Sequence, residues 1–214
     1  GLVWQTLLLT AESLKGPWES QGLVLKNERD FEKNQARDSS IDIINGTYYN
    51  IYKAKDLESN RRPGFATSQD GITWKKYGPL TVDGKEHKAF LSGSIFPGSN
   101  GLIFIGMEML DIPDERVQHE IHDKYAVKHG GSKTLFCSFE IDMKNTDLRT
   151  LYTAEWKPSS KYEHEIHPLL GYSTSIYEPI KNRFLFYVEA IDPKTEKMGL
   201  NNTIERVLVY QTNV

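Results

Sequence analysis

The sequence of 214 residues contains a single cysteine, Cys137. That excludes an internal disulfide framework and any zinc module built from cysteines. Long apolar runs are missing too. Leu102–Ile105 and Phe184–Val188 are among the longest, far short of the roughly 20 residues that cross a bilayer as a helix. Charge of one sign is also scarce: 26 Lys and Arg stand against 29 Asp and Glu, a formal net charge of −3. General nucleic-acid binding calls for a basic footprint, so that partner is not expected. Gly1–Thr10 shows neither the basic stretch nor the small-residue cleavage site of a secretory leader. No targeting signal is expected there, and the compartment stays open.

What is present is a β-forming composition. Aromatic residues make up 11% of the chain, with 11 Tyr, 9 Phe and 4 Trp beside 16 Gly. Aromatics favour strands and glycine favours tight turns.

The chain also repeats itself, which is the first thing to seek in such a sequence. Thr10–Gly22 and Phe65–Gly78 share the order Ala, Ser, Gly, Trp, Gly. Each reads as a strand, a glycine turn and a second strand opening on tryptophan. Asp70-Gly71 is a hairpin signal, and Ser13 and Ser68 are placed to bond the turn amides. A second unit recurs at Ser40–Tyr52, Ser94–Met107 and Ser175–Val188. Each starts Ser-Ile and turns, at Asn45-Gly46, at Asn100-Gly101 and near Lys181-Asn182 respectively.

Together the two units make a module of four antiparallel strands, A to D. The expected organisation is a partial module at 1–26, full modules at 27–80 and 81–157, and a partial module at 158–214. Four-stranded sheets at this period predict the blades of a β-propeller, incomplete at about three to four blades; a plain β-sandwich is the alternative. One segment breaks the pattern. Residues 113–129 place acids early, bases late, and Val117, Ile121 and Tyr125 on one helical face, which predicts a short inserted helix.

Gly16-Pro17-Trp18, Ala36-Arg37-Asp38, Asn45-Gly46-Thr47-Tyr48-Tyr49 and the run Ala66–Trp74 occur in that order. Read together they resemble the five-bladed propeller glycoside hydrolases: the family-43-like arabinanases and β-xylosidases and their invertase-like relatives. The likeness is good over 10–78 and looser over 90–214. It implies an all-β propeller cleaving or binding a poly- or oligosaccharide, with no cofactor required. A calcium or other metal ion on the propeller axis would fit such a fold. It further implies three carboxylates at the axial end of the blades: a base, an acid, and a third tuning the acid. Asp38, opening a strand A, resembles the tuning aspartate. The matching positions near Ser92 and Ser173 carry no acid, which leaves both hydrolysis and plain carbohydrate binding open.

Aligning the three A–B hairpins puts Lys53, Glu108 and Glu189 at equivalent strand ends. Loops and strand ends on one face of a scaffold are where binding groups gather. The expected catalytic carboxylates are therefore Asp38, Glu108 and Glu189, with Asp38 and Glu108 the preferred pair. Such a pair would stand about 6.5–9.5 Å apart for inversion, or about 5–5.5 Å for retention. Arg37, Lys53, His87, His164 and His167 are the expected sugar-binding residues. His-Glu-Ile-His occurs twice, at His119–His122 and His164–His167, without metalloprotease spacing, and no metal ligand set is assigned. Cys137 alternates with Leu135 and Phe139 and should be buried packing. A propeller left open would expose sheet edges, so association between copies is a further expectation.

Overall fold

The computed structural model describes residues 3–111, 132–155, 170–191 and 205–213. Fifteen strands are formed, with one 3-10 turn, Asp30–Glu32, and no α-helix among the described residues. The chain is all-β. The expected helix over 113–129 lies outside the described residues.

The strands assemble into four sheets. In the first, β1 (Thr6–Thr10) pairs with β2 (Glu19–Leu25). The second runs β3 (Gln35–Ile44), β4 (Thr47–Lys55), β5 (Arg61–Ser68) and β6 (Lys75–Pro79), antiparallel throughout. The third contains β7 (Thr81–Val82), β8 (Lys85–Glu86), β9 (Ala89–Pro97), β10 (Leu102–Asp111), β11 (Ser132–Asp142) and β12 (Asp147–Glu155). Its order is β8-β7-β12-β11-β10-β9. The fourth is β13 (Leu170–Glu178), β14 (Arg183–Ile191) and β15 (Glu205–Asn213).

Turn chemistry explains the hairpins. Asn45 and Gly46 both take positive φ, 51° and 78°, and Asn182 takes 45°; asparagine and glycine tolerate that region at little cost. At the β5–β6 turn Ser68 Oγ accepts from the amides of Asp70 and Gly71, at 3.2 and 2.9 Å. Asp70 Oδ1 accepts from Ile72 and Thr73 at 2.8 and 2.7 Å. Ser13 behaves differently from its counterpart. Its hydroxyl donates to the Gly16 carbonyl at 3.3 Å, because that turn closes by Gly16 N donating to Ser13 O at 3.0 Å and Pro17 has no amide to offer.

The small β7–β8 hairpin was not expected from the sequence. Thr81 and Val82 pair in parallel with Asp147 and Leu148. Asp147 Oδ1 fixes that register by accepting from Thr81 Oγ1 at 2.5 Å and Gly84 N at 3.0 Å.

Packing divides the chain into two compact units. Unit 1 comprises Gly1–Leu91, Ile95–Ile103 and Glu140–Arg149, and unit 2 comprises Ser92–Ser94, Phe104–Phe139 and Thr150–Val214. In unit 1, Leu25, Ala36, Tyr52, Ala54 and Ala66 form a buried cluster flanked by Phe31 and Trp74. The Tyr52 ring covers Gly64, its cross-strand neighbour, where any Cβ would collide with it. The Tyr52 hydroxyl reaches Glu32, whose carboxylate is wholly buried. Glu32 Oε1 accepts from the amides of Glu28 and Arg29 and from Lys76 Nζ, at 3.1, 3.2 and 2.5 Å. A buried carboxylate costs little only when its lone pairs are filled in this way.

In unit 2, Phe104 and Phe139 stack with centroids 6.4 Å apart, beside buried Met107 and Cys137. Cys137 is thus the packing residue the alternation predicts, and burial pushes its thiol well above its ordinary pKa, with the Glu108 charge adding to the effect.

Candidate functional site

The site in unit 1 is built at an irregularity in β3. The β3–β4 ladder runs regularly from Ile44↔Thr47 to Ser40↔Ile51, then jumps to Arg37↔Lys53. An extra residue is accommodated at the jump by Asp38, whose φ is 55°. A bulge re-aims a side chain, and a non-glycine residue in the left-handed region costs free energy that the surrounding structure must hold.

The bulge brings Asp38 against two cations. Asp38 Oδ2 lies 3.4 Å from Lys53 Nζ and 3.5 Å from Arg37 Nε. That oxygen is buried and takes no well-aligned hydrogen bond among the described residues, so the two cations hold it by charge. Arg37 Nε also donates to Gln35 Oε1 at 3.2 Å, and its guanidinium lies over the Trp4 ring, 4.8 Å from the centroid. Lys53 Nζ lies 5.2 Å from the centroid of the Phe90 ring. The Trp4 segment is tied down by backbone bonds: Trp4 N donates to Asn34 O at 3.1 Å and Ala36 N to Trp4 O at 2.9 Å.

Lys53 is only 8% exposed. Burial, and after it the charges of Arg37 and Arg61, lower its pKa to about 8 against the opposing effect of Asp38. The surroundings therefore carry more positive charge than Asp38 offsets.

Of the residues expected from the sequence, Arg37, Asp38 and Lys53 come together. His87 stands half-buried between β8 and β9 in unit 1. Glu108 is buried on β10, in unit 2. Glu189 lies on β14 opposite Val207 of β15. Lys53, Glu108 and Glu189 do occupy the same step along β4, β10 and β14, counted from the turn residues Gly46, Gly101 and Asn182. His164, His167, His119 and His122 lie outside the described residues. Ser92 and Ser173, the positions without an acid, are buried and bonded to one another: Ser92 Oγ donates to Ser173 O at 3.0 Å, and Ser173 N donates to Ser92 Oγ at 2.8 Å. Among the described residues no three of His, Cys, Asp and Glu gather into a group that could hold a metal ion.

Sequence reasoning missed Trp4, Gln35 and Phe90. Trp4 and Phe90 join Arg37 and Lys53 from segments far along the chain, and no local pattern signals such a contact.

No protein-family model matches the chain, and no curated protein matches it by sequence. Solved structures do match by fold. The β-1,2-mannobiose phosphorylase of Listeria innocua superposes with a TM-score of 0.57 at 13% identity, over 96% of this chain and 50% of that one. An endo-arabinase from Bacteroides thetaiotaomicron gives 0.57 at 7% identity, over 91% and 63%. A thermostable family-43 glycoside hydrolase gives 0.53 at 16% identity, over 81% and 52%. The chain thus spans between half and two thirds of these neighbours' lengths. Its fold is glycoside hydrolase-like. No helix among the described residues is long and apolar enough to cross a membrane.

Proposed function

We propose that this chain is a propeller-like carbohydrate domain that cleaves glycosidic bonds with carboxylate chemistry. The observation that carries the reading is Asp38, set on a left-handed bulge with its buried Oδ2 at ion-pair distance from both Arg37 and Lys53. Strain of that kind points to function when seen at a charged cluster. In this reading Asp38 is the carboxylate of unit 1, and Glu108 and Glu189 are those of unit 2. Trp4 supplies an apolar face for a sugar ring, and His87, His164 and His167 bond hydroxyls. The sheets of two, four and three strands, and the six-stranded sheet built on β9–β12, are the blades at 1–26, 27–80, 81–157 and 158–214.

Turnover of a panel of aryl-glycosides and oligosaccharides tests it. Asp38→Ala should lower kcat by about 10²- to 10⁴-fold, the usual worth of a positioned acid or base. Glu108→Gln and Glu189→Gln should each lower it as well.

A second reading is a carbohydrate-binding module without turnover. Ser92 and Ser173 favour it, because those two positions hold hydroxyls committed to each other's backbone instead of carboxylates. Sugar-induced thermal stabilisation with no hydrolysis would select this reading. Association between copies belongs to either version. Leu7 and Leu23, paired across β1–β2, are 52% and 45% exposed, and light scattering would show whether copies cover them.

A further inference from the structure

We propose that the charge cluster of Arg37, Asp38 and Lys53 receives an oxyanion carried by the sugar, most simply the carboxylate of a uronic acid. The proposal deepens the sugar-site reading and rests on it only for the sugar ring. Its ground is the arrangement of charges. Two cations converge on a single oxygen of a single carboxylate, at 3.4 and 3.5 Å. The Lys53 side chain is nine-tenths buried there. Its other described contact is the face of Phe90, a weak partner for an ammonium group. Among the described residues nothing accepts from Arg37 Nη1 or Nη2, which leaves the fork of the guanidinium open. A guanidinium fork matches a planar carboxylate in two-point geometry, and an ammonium beside it adds a point charge.

Two further observations agree. The positive field at Lys53 exceeds what Asp38 offsets, since Arg37 and Arg61 both act on it. A bound anion would relieve that excess. Trp4 flanks Arg37 and is about half exposed, so an apolar ring face and an anionic substituent can be met side by side. Free phosphate offers the same oxyanion chemistry, and the experiment separates it from a uronate.

Thermal shift and calorimetry on the full chain would compare glucuronate and galacturonate with glucose and galactose, and inorganic phosphate would form a separate arm. The uronates should bind at least tenfold more tightly than their neutral counterparts. Lys53→Met and Arg37→Gln should erase that preference, and Lys53→Arg should restore part of it. The melting curve of each variant establishes that it is folded before binding is read. Inorganic phosphate binding alone, in a Lys53-dependent manner, would support the oxyanion site and assign phosphate as its ligand. Neutral sugars bound as tightly as uronates, with Lys53→Met without effect, would overturn the oxyanion site and leave the sugar site standing. Sugar binding absent altogether, with Lys53-dependent phosphate binding retained, would overturn the sugar reading and keep the oxyanion site. No Lys53-dependent binding of any anion overturns the proposal.

Discussion

Arg37 and Lys53 face each other directly across the β3–β4 ladder, two like charges in register on adjacent strands. Such an opposition is destabilising in a sheet, and among the described residues Asp38 is the carboxylate that stands between them. The pair is a cost that the fold carries.

That cost has a measurable sign. Burial first, and then the Arg37 and Arg61 charges, lower the Lys53 pKa from 10.5 to about 8, so the unfolded chain holds this proton more tightly than the native one. Below about pH 8 the penalty is fully present; stability recovers as pH rises from about 8 to 10.5. Lys53→Met should therefore stabilise the protein at pH 7 by about 1–3 kcal/mol, on the scale of 1.36 kcal/mol per pKa unit. Chemical denaturation at pH 7 and pH 10 checks this, and the advantage of the variant should shrink at the higher pH.

The bulge makes a second separation available. At Asp38, with φ at 55°, alanine keeps the left-handed strain while glycine removes it, a difference of about 1–2 kcal/mol. Asp38→Gly should melt above Asp38→Ala, yet both should lose turnover to the same degree. A variant pair equal in stability would show that the backbone there has relaxed.

Glu32 supplies a test of burial. Tyr52 donates to its Oε2 at 2.7 Å in a wholly buried setting. Tyr52→Phe keeps the ring over Gly64 and removes only that donor. Leaving a buried charged acceptor short of a partner should cost about 1–3 kcal/mol in urea unfolding.

Asp70 gives a pH signature at the other end of the same sheet. Amide bonds from Thr73 and Ile72, with the Ser68 hydroxyl, hold its pKa down from 3.8 to about 2. A depressed carboxylate contributes stability above its ordinary pKa and loses it as pH falls through the native value. Asp70→Asn should melt lower than the parent protein at pH 7. The gap should close between about pH 4 and pH 2.

Strands and turns were readable because their causes are local. Asn45, Asn182 and the Ser68–Asp70 pair announce their turns by residue chemistry, and the hairpin alignment that set Lys53, Glu108 and Glu189 at equivalent steps follows from them. The bulge was not readable, since Asp38-Ser39 sits in a run that looks like continuous strand. Neither were Trp4 and Phe90, which reach the site through pairings decided by the whole fold. The β7–β8 hairpin escaped notice because two-residue strands leave no periodicity to detect, and Asp147, the residue that holds them, is distant in sequence.

The serines of β9 and β13 carry one more consequence. Both strands lie at the edge of their sheets, where unpaired amides invite a stray strand to add on. Ser92 and Ser94 occupy the amides of Ser173 and Ser175 at 2.8 and 3.0 Å. The hydroxyls act as plugs at two positions of the β13 border, so an added strand could not form a regular ladder there without first displacing them.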